Sequence, residues 1–391
     1  MDFISSRENL FDYFESRAKN SKEELNNSKT KKTLMKSYIF ETFNEELVTK
    51  KDNAELTNIP ALFNTKLNKV KQIDNDIYSI SNQESNIAYI EQINSRFSIA
   101  YTELHADKSD KIMYDYAKKS AILDSLWISS QMYDQFLKNI IDYHSPNRFT
   151  NIKFDSKPSY DKYNNEFDIV DNNNSMSSIT QQIDGLQEKL NGVRNFFPLF
   201  NSISSLRFPS KNGAGGHDIY YNGKSTNRSS SFFDHREQLK NTVSHYQKTT
   251  ENIEQLCWME FERIPLKASS FESYKAAPVT ITFDTEISSE TLENFVKTVF
   301  TRGIEPFKIV GDSIEIEKNR FHIYGTDLHL WQNIFLDLST THFTLYLPKG
   351  TCGNTVHRLV TNIQKYLVPN FNVLIGDKPY KKIISNSMEE F

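Results

Sequence analysis

Residues 67–104 read LNKVKQIDNDIYSISNQESNIAYIEQINSRFSIAYTEL. Leu67, Val70, Ile73, Ile77, Ile80, Ile87, Ile90, Phe97, Tyr101 and Leu104 recur there mostly at steps of three, four or seven, with no internal Gly or Pro. That spacing predicts one long amphipathic helix with an apolar seam, as in a coiled coil or a long helical hairpin. About 40 residues at 1.5 Å each make a rod of roughly 60 Å, longer than a small domain. Ile73, Ile77, Ile80, Ile87, Phe97 and Leu104 are the residues expected to carry contacts, either to other subunits or within one helical bundle.

Upstream, Phe3, Leu10, Phe11 and Phe14 form a helical stripe, and Leu34, Tyr38, Ile39, Phe43 and Leu47 suggest a second helix over 33–56. Downstream, the apolar run from Ile112 to Tyr143 predicts a central helix stopped before Pro146. Residues 1–146 therefore read as a helical domain. The Asn-rich stretch 147–178 reads as a linker, because such a composition buries too little surface to offset its ordering entropy. A helical segment over 179–265 follows, with a helix from Ile179 to Asn195, a Gly/Ser loop over 199–230 and a helix from Phe232 to Phe261. No repeat of solenoid period is visible.

The character changes over 276–380. Strand-like runs at 279–283, 307–310, 313–316, 321–324, 343–347 and 373–375 alternate with helical runs at 291–300, 328–338 and 356–367. An α+β domain with a mixed sheet is the natural solution. The expected fold is thus α+β, with a helix-rich, coiled-coil-like N-terminal region before a sandwich-like C-terminal domain.

Composition bounds the chemistry. The 391 residues include 46 basic and 50 acidic side chains, a formal charge of -4, so no global basic excess draws the chain to nucleic acid. The two cysteines, Cys257 and Cys352, fit neither a zinc spacing nor a disulfide framework. No signal peptide or membrane span is visible, which makes the cytoplasm the expected compartment. Neither a metal nor a cofactor is expected.

Gly223-Lys224-Ser225-Thr226 lacks the upstream glycine and strand that a phosphate-binding loop needs. Arg228 and His235, with His245 further on, supply an arginine for phosphorane charge and imidazoles for proton transfer. Their spacing resembles the Arg-x(4–6)-His motif of HEPN ribonucleases, although Ser229 follows the arginine where that family has Asn, Asp or His. The resemblance covers about 20 residues and implies metal-independent RNA cleavage. His342-Phe343-Thr344 is similar to the His-x-Thr strand of the 2H phosphoesterases, but its only partner, His322-Ile323-Tyr324, carries Tyr in place of Thr or Ser. Gly350, Gly353 and Asn354 lie in a strand-to-helix turn where an anionic ligand could approach the backbone.

The function expected from these features is a non-enzymatic assembly or interaction subunit of a larger cytoplasmic complex. Its partners would be other protein subunits or further copies of itself. A ribonuclease of toxin or antiviral-defence type is the first alternative, and a small-ligand sensor the second.

Overall fold

A computed structural model describes residues 4–27, 33–43, 58–83, 85–156, 176–211, 214–265, 270–275, 277–301, 303 and 306–388. The N-terminal half is built on strands rather than on helices. An eleven-stranded sheet occupies its described residues, and a nine-stranded sheet the C-terminal half.

The seam of residues 67–104 is a four-stranded antiparallel meander: Lys69–Asp74, Ile77–Ser81, Asn86–Gln92 and Phe97–Thr102. Its apolar positions are divided between opposite faces. Ile73, Ile77 and Phe97 enter one core, while Ile80, Ile87 and Leu104 enter the other. A sheet buried on both faces loses its alternation of apolar and polar residues, and the remaining spacing mimics a helix. The coiled-coil reading is overturned, and with it the helix-rich N-terminal region. Asn75-Asp76 supplies the first turn, with Asp76 at φ 59°.

The same correction applies elsewhere. Residues 36–42 are a fully buried strand, not a helix. The run from Ile112 to Tyr143 splits into helix Ala106–Lys119, the short strand Leu123–Ser125 and helix Ser130–Tyr143, the last capped by Ser129. Residues 328–338 are mostly the strand Gln332–Ser339. Strand Phe149–Asp155 pairs with Met176–Gln182, so the proposed linker is bounded by a hairpin; its residues 157–175 lie outside the described residues. Within the loop proposed for 199–230 are three further strands, Ile203–Pro209, Gly216–Tyr220 and Lys224–Asn227. They extend the first sheet beyond Lys36–Thr42.

One connectivity occurs twice. In the first half, strand Lys36–Thr42 is followed by helix Ile59–Phe63, the meander, helix Ala106–Lys119, strand Leu123–Ser125 and helix Ser130–Tyr143. In the second half, strand Val279–Phe283 is followed by helix Ser289–Val296, a second meander, helix Asn354–Tyr366, strand Phe371–Ile375 and helix Tyr380–Met388. The second meander comprises Ile309–Glu317, Arg320–Asp327, Gln332–Ser339 and His342–Pro348. Pairing matches as well. Lys36–Thr42 lies between the last meander strand and Leu123–Ser125, and Val279–Phe283 lies between the last meander strand and Phe371–Ile375.

Each meander buries one face on the two helices that flank it. In the first half Phe63 and Tyr116 pack there at 5.1 Å between ring centroids, with Phe40 5.5 Å from Phe63. In the second half Phe295 stacks on Phe343 at 5.4 Å. The halves are stapled by buried charges. Arg358, fully buried, donates to Asp124 at 2.6 Å and to Asp327, while Lys308 donates to Asp124 at 2.9 Å and to the carbonyl of Ala117 at 3.1 Å.

Candidate functional site

The residues expected to cleave RNA occupy separate environments. Helix Phe232–Cys257 starts at Ser231, whose hydroxyl accepts from the Asp234 N–H. His235, in its first turn, is fully buried, with Nε2 2.9 Å from the Ser37 hydroxyl and Nδ1 3.2 Å from Nδ1 of His217. Burial holds its pKa well below the ordinary histidine value, so the ring is neutral. His217 in turn faces the Asp234 carboxylate at 3.2 Å. Arg228 lies outside this pocket and donates to Asp218 at 2.5 Å, a carboxylate it shares with Arg207. His245 stands about 15 Å along the helix from His235, against Phe136 at 6.3 Å. The fold does not bring the three together at a solvent-facing point. His322 and His342 do not face each other across a groove either. They lie on strands Arg320–Asp327 and His342–Pro348, with Gln332–Ser339 between them.

The turn holding Gly350, Gly353 and Asn354 does cradle an anion, but the anion is the protein's own. The Gly353 N–H donates to Glu254 Oε1 at 2.7 Å. A Cβ at Gly353 would meet the Thr250 carbonyl oxygen at 2.8 Å, which is why the position carries glycine. Asn354 is fully buried and bonded to Tyr246, Asp124 and the Ser125 carbonyl. Glu254 also takes a two-pronged contact from Arg96, at 2.6 and 3.0 Å, and Arg96 bonds Glu41 at 2.6 Å. Two carboxylates thus share one buried guanidinium, and desolvation raises the pKa of Glu41 to about 7. Elsewhere, a cleft of about 730 Å³ lies between helix Arg7–Asn27 and the first meander. Its Tyr13 and Glu103 already bond each other at 2.6 Å, and Arg17 of the same helix donates to Glu103 at 2.6 Å. Among the described residues no group of three or more His, Cys, Asp or Glu side chains is placed to hold a metal ion.

The feature that stands out is a difference between the two meanders on the face away from their flanking helices. In the first, Tyr89 pairs across strands with Tyr101, and Glu91 pairs with Ile99. Helices cover this face. Phe14 packs on Tyr89 at 5.7 Å and on Tyr101 at 5.8 Å, and Phe232 packs on Tyr101 at 5.2 Å. Arg236 grips Glu91, with Nε 2.8 Å from Oε2, and Glu91 also accepts from the Tyr101 hydroxyl at 2.8 Å.

In the second meander Phe335 pairs with Tyr346, and Asp337 with Thr344. These residues have the same strand, face and direction as Tyr89, Tyr101, Glu91 and Ile99. Tyr324 extends the row, with ring centroids 5.2 Å from Phe335, and Phe335 lies 5.5 Å from Tyr346. Beside it runs a second row, Ile314, His322, Asp337, Thr344, Thr280 and Leu374. This face is open. Tyr324 is 57% exposed and Ile314 50%, and Trp331, at the turn between the two middle strands, is 65% exposed. The exposure is concentrated at Tyr324, Ile314 and Trp331, while Asp337 and Thr344 in the second row are buried. Asp337 meanwhile is held by Arg320 of the neighbouring strand, at 2.6 and 3.0 Å, which keeps its carboxyl below the usual range.

A helix over 328–338, as the sequence spacing predicts, scatters Phe335 and Asp337 onto different sides and hides this face. Read with a period of two, Phe335-Leu336-Asp337 repeats the pattern aromatic, aliphatic, acid of Tyr89-Ile90-Glu91.

No described helix is long and apolar enough to cross a membrane. No solved structure matches the chain. The uncharacterized protein MJECL33 of Methanocaldococcus jannaschii is 28% identical over 337 residues, covering 77% of this chain and 79% of that protein. The family model for MJECL33-like proteins matches residues 1–382, so the chain belongs to the MJECL33-like protein family.

Proposed function

We propose that this is a non-enzymatic interaction protein, acting in the cytoplasm, that binds a protein partner on the open face of its second meander. The observation that carries the reading is the contrast between two equivalent faces: one sealed by helices, the other exposing Tyr324 and half-exposing Phe335 and Tyr346. Exposed aromatic side chains in a fixed row are costly to leave in water and dominate binding energy at interfaces. Two unpaired, buried thiols, Cys257 and Cys352, fit a reducing compartment.

Retention of a partner tests the reading. Full-length protein purified from its source at moderate salt is expected to keep a stoichiometric protein partner. Tyr324→Glu, which puts a charge on the open face and leaves the core untouched, is expected to lose it. A preparation with no partner, or equal retention by the variant, would sink the proposal.

A further inference from the structure

The geometry points to the occupant of that face: an amphipathic helix of a partner protein, carrying aromatic side chains on one side and an arginine within a turn of them. This rests on the reading that the face binds a protein. The first half of the same chain shows how such a ladder is covered. There helices Arg7–Asn27 and Phe232–Cys257 lay Phe14 and Phe232 on the Tyr89–Tyr101 pair, and Arg236 reaches Glu91. Every receiving group recurs in the second half, with Phe335 and Tyr346 as the ring pair and Asp337 as the acid. The strand pairing that sets their spacing is also the same, so a helix of the same chemistry fits the same row. Charge agrees with this. Asp312 pairs directly with Tyr324 at the end of the aromatic row, and Glu317 stands exposed opposite Arg320 at the far end of the same edge strand. Arg320 of the adjacent strand fills the place by Asp337 that Arg236 fills by Glu91, and an incoming arginine would share that carboxylate with it.

The spacing of the contacts tests this. A photoreactive phenylalanine analogue is placed at position 324 or 346 of the full chain, in the source cells, and the cross-linked residues are sequenced. The expected adducts fall in one segment of another protein, three or four residues apart or a multiple of that spacing, with an arginine within one turn. Asp337→Asn removes the acid and frees Arg320 to repel an incoming arginine. It is expected to lower adduct yield about tenfold while leaving the melting temperature within about 2 °C of the parent. Adducts two residues apart, as from an added strand, would overturn the helix, as would adducts to a second copy of this chain or a yield indifferent to Asp337→Asn. Each of those results leaves the face as a protein-binding surface. Complete absence of protein adducts would instead remove the reading on which the helix rests.

Discussion

At the scale of single residues, the molecule buries charge in pairs and must hold each one. Arg96 is buried among Glu41, Glu254 and the ring of Phe43, 4.8 Å away. Removing it by Arg96→Ala strands two carboxylates without water and is expected to cost about 3–5 kcal/mol in denaturant unfolding. Glu41 behaves differently, because its folded pKa is raised from 4.5 to about 7. The unfolded chain releases this proton near pH 4.5 and the folded chain only near 7, so the associated stability is complete below pH 4.5 and is lost as pH rises to 7. Glu41→Gln keeps an acceptor for Arg96 and abolishes that loss. Thermal melts are expected to show the variant gaining on the parent between pH 4.5 and 7.5, and an equal difference at both pH values would contradict the assignment. Neither carboxylate was singled out from the sequence, since residues 41, 96 and 254 meet only in the folded chain.

Among elements, the hairpin joining the two middle strands of the second meander shows strain beside the proposed partner face. Leu330 and Trp331 both have left-handed backbone, φ 73° and 55°, which side chains other than Gly, Asn and Asp rarely adopt. Such residues cost roughly 1–3 kcal/mol each and persist where function or packing requires them. Leu330 is fixed by packing of the halves, its N–H donating to the Ala121 carbonyl at 2.6 Å. Trp331 is mostly exposed, in the turn that joins the strands carrying Tyr324 and Phe335. Trp331→Asn is expected to raise stability by about 1 kcal/mol and to weaken partner retention. A variant that is destabilised, or that binds as the parent does, would show that the ring serves the fold instead. The element is also where legibility divided. The C-terminal strands at 279–283, 321–324, 343–347 and 373–375 were readable, because each alternates buried aliphatic or phenylalanine residues with less buried positions on the other face. The first meander was not, because helices cover both of its faces.

For the whole molecule, the staple of Arg358, Lys308, Asp124 and Asp327 makes the two halves one cooperative body. Asp124 is supplied by the first half and the other three by the second. Arg358→Ala leaves Asp327 and part of Asp124 uncompensated in a dry interior, at a cost of about 3–5 kcal/mol. Hydrogen exchange is expected to accelerate in Lys36–Thr42 as well as in Arg320–Asp327. Acceleration confined to 279–388 would show that the halves unfold independently.

The sequence by itself determined the composition of a globular chain, the start of the helix at Phe232 though not its end, which falls at Cys257 rather than Phe261, and most strands of the C-terminal half, because those signals are local: an alternation, a turn, a helical spacing. Only the tertiary structure decided that residues 67–104 are strands. A doubly buried strand and a helix face have similar apolar spacing, and what lies on the second face settles the matter. It also decided that the glycine turn at 350–353 holds Glu254 rather than a ligand, that His235 is sealed from solvent, and that the two halves share one connectivity. Each depends on partners scores of residues away, which no local pattern specifies. The open aromatic row belongs to the same class. Its residues are ordinary strand residues in the sequence, and they stand out only because no described helix covers the second meander as Phe14 and Phe232 cover the first.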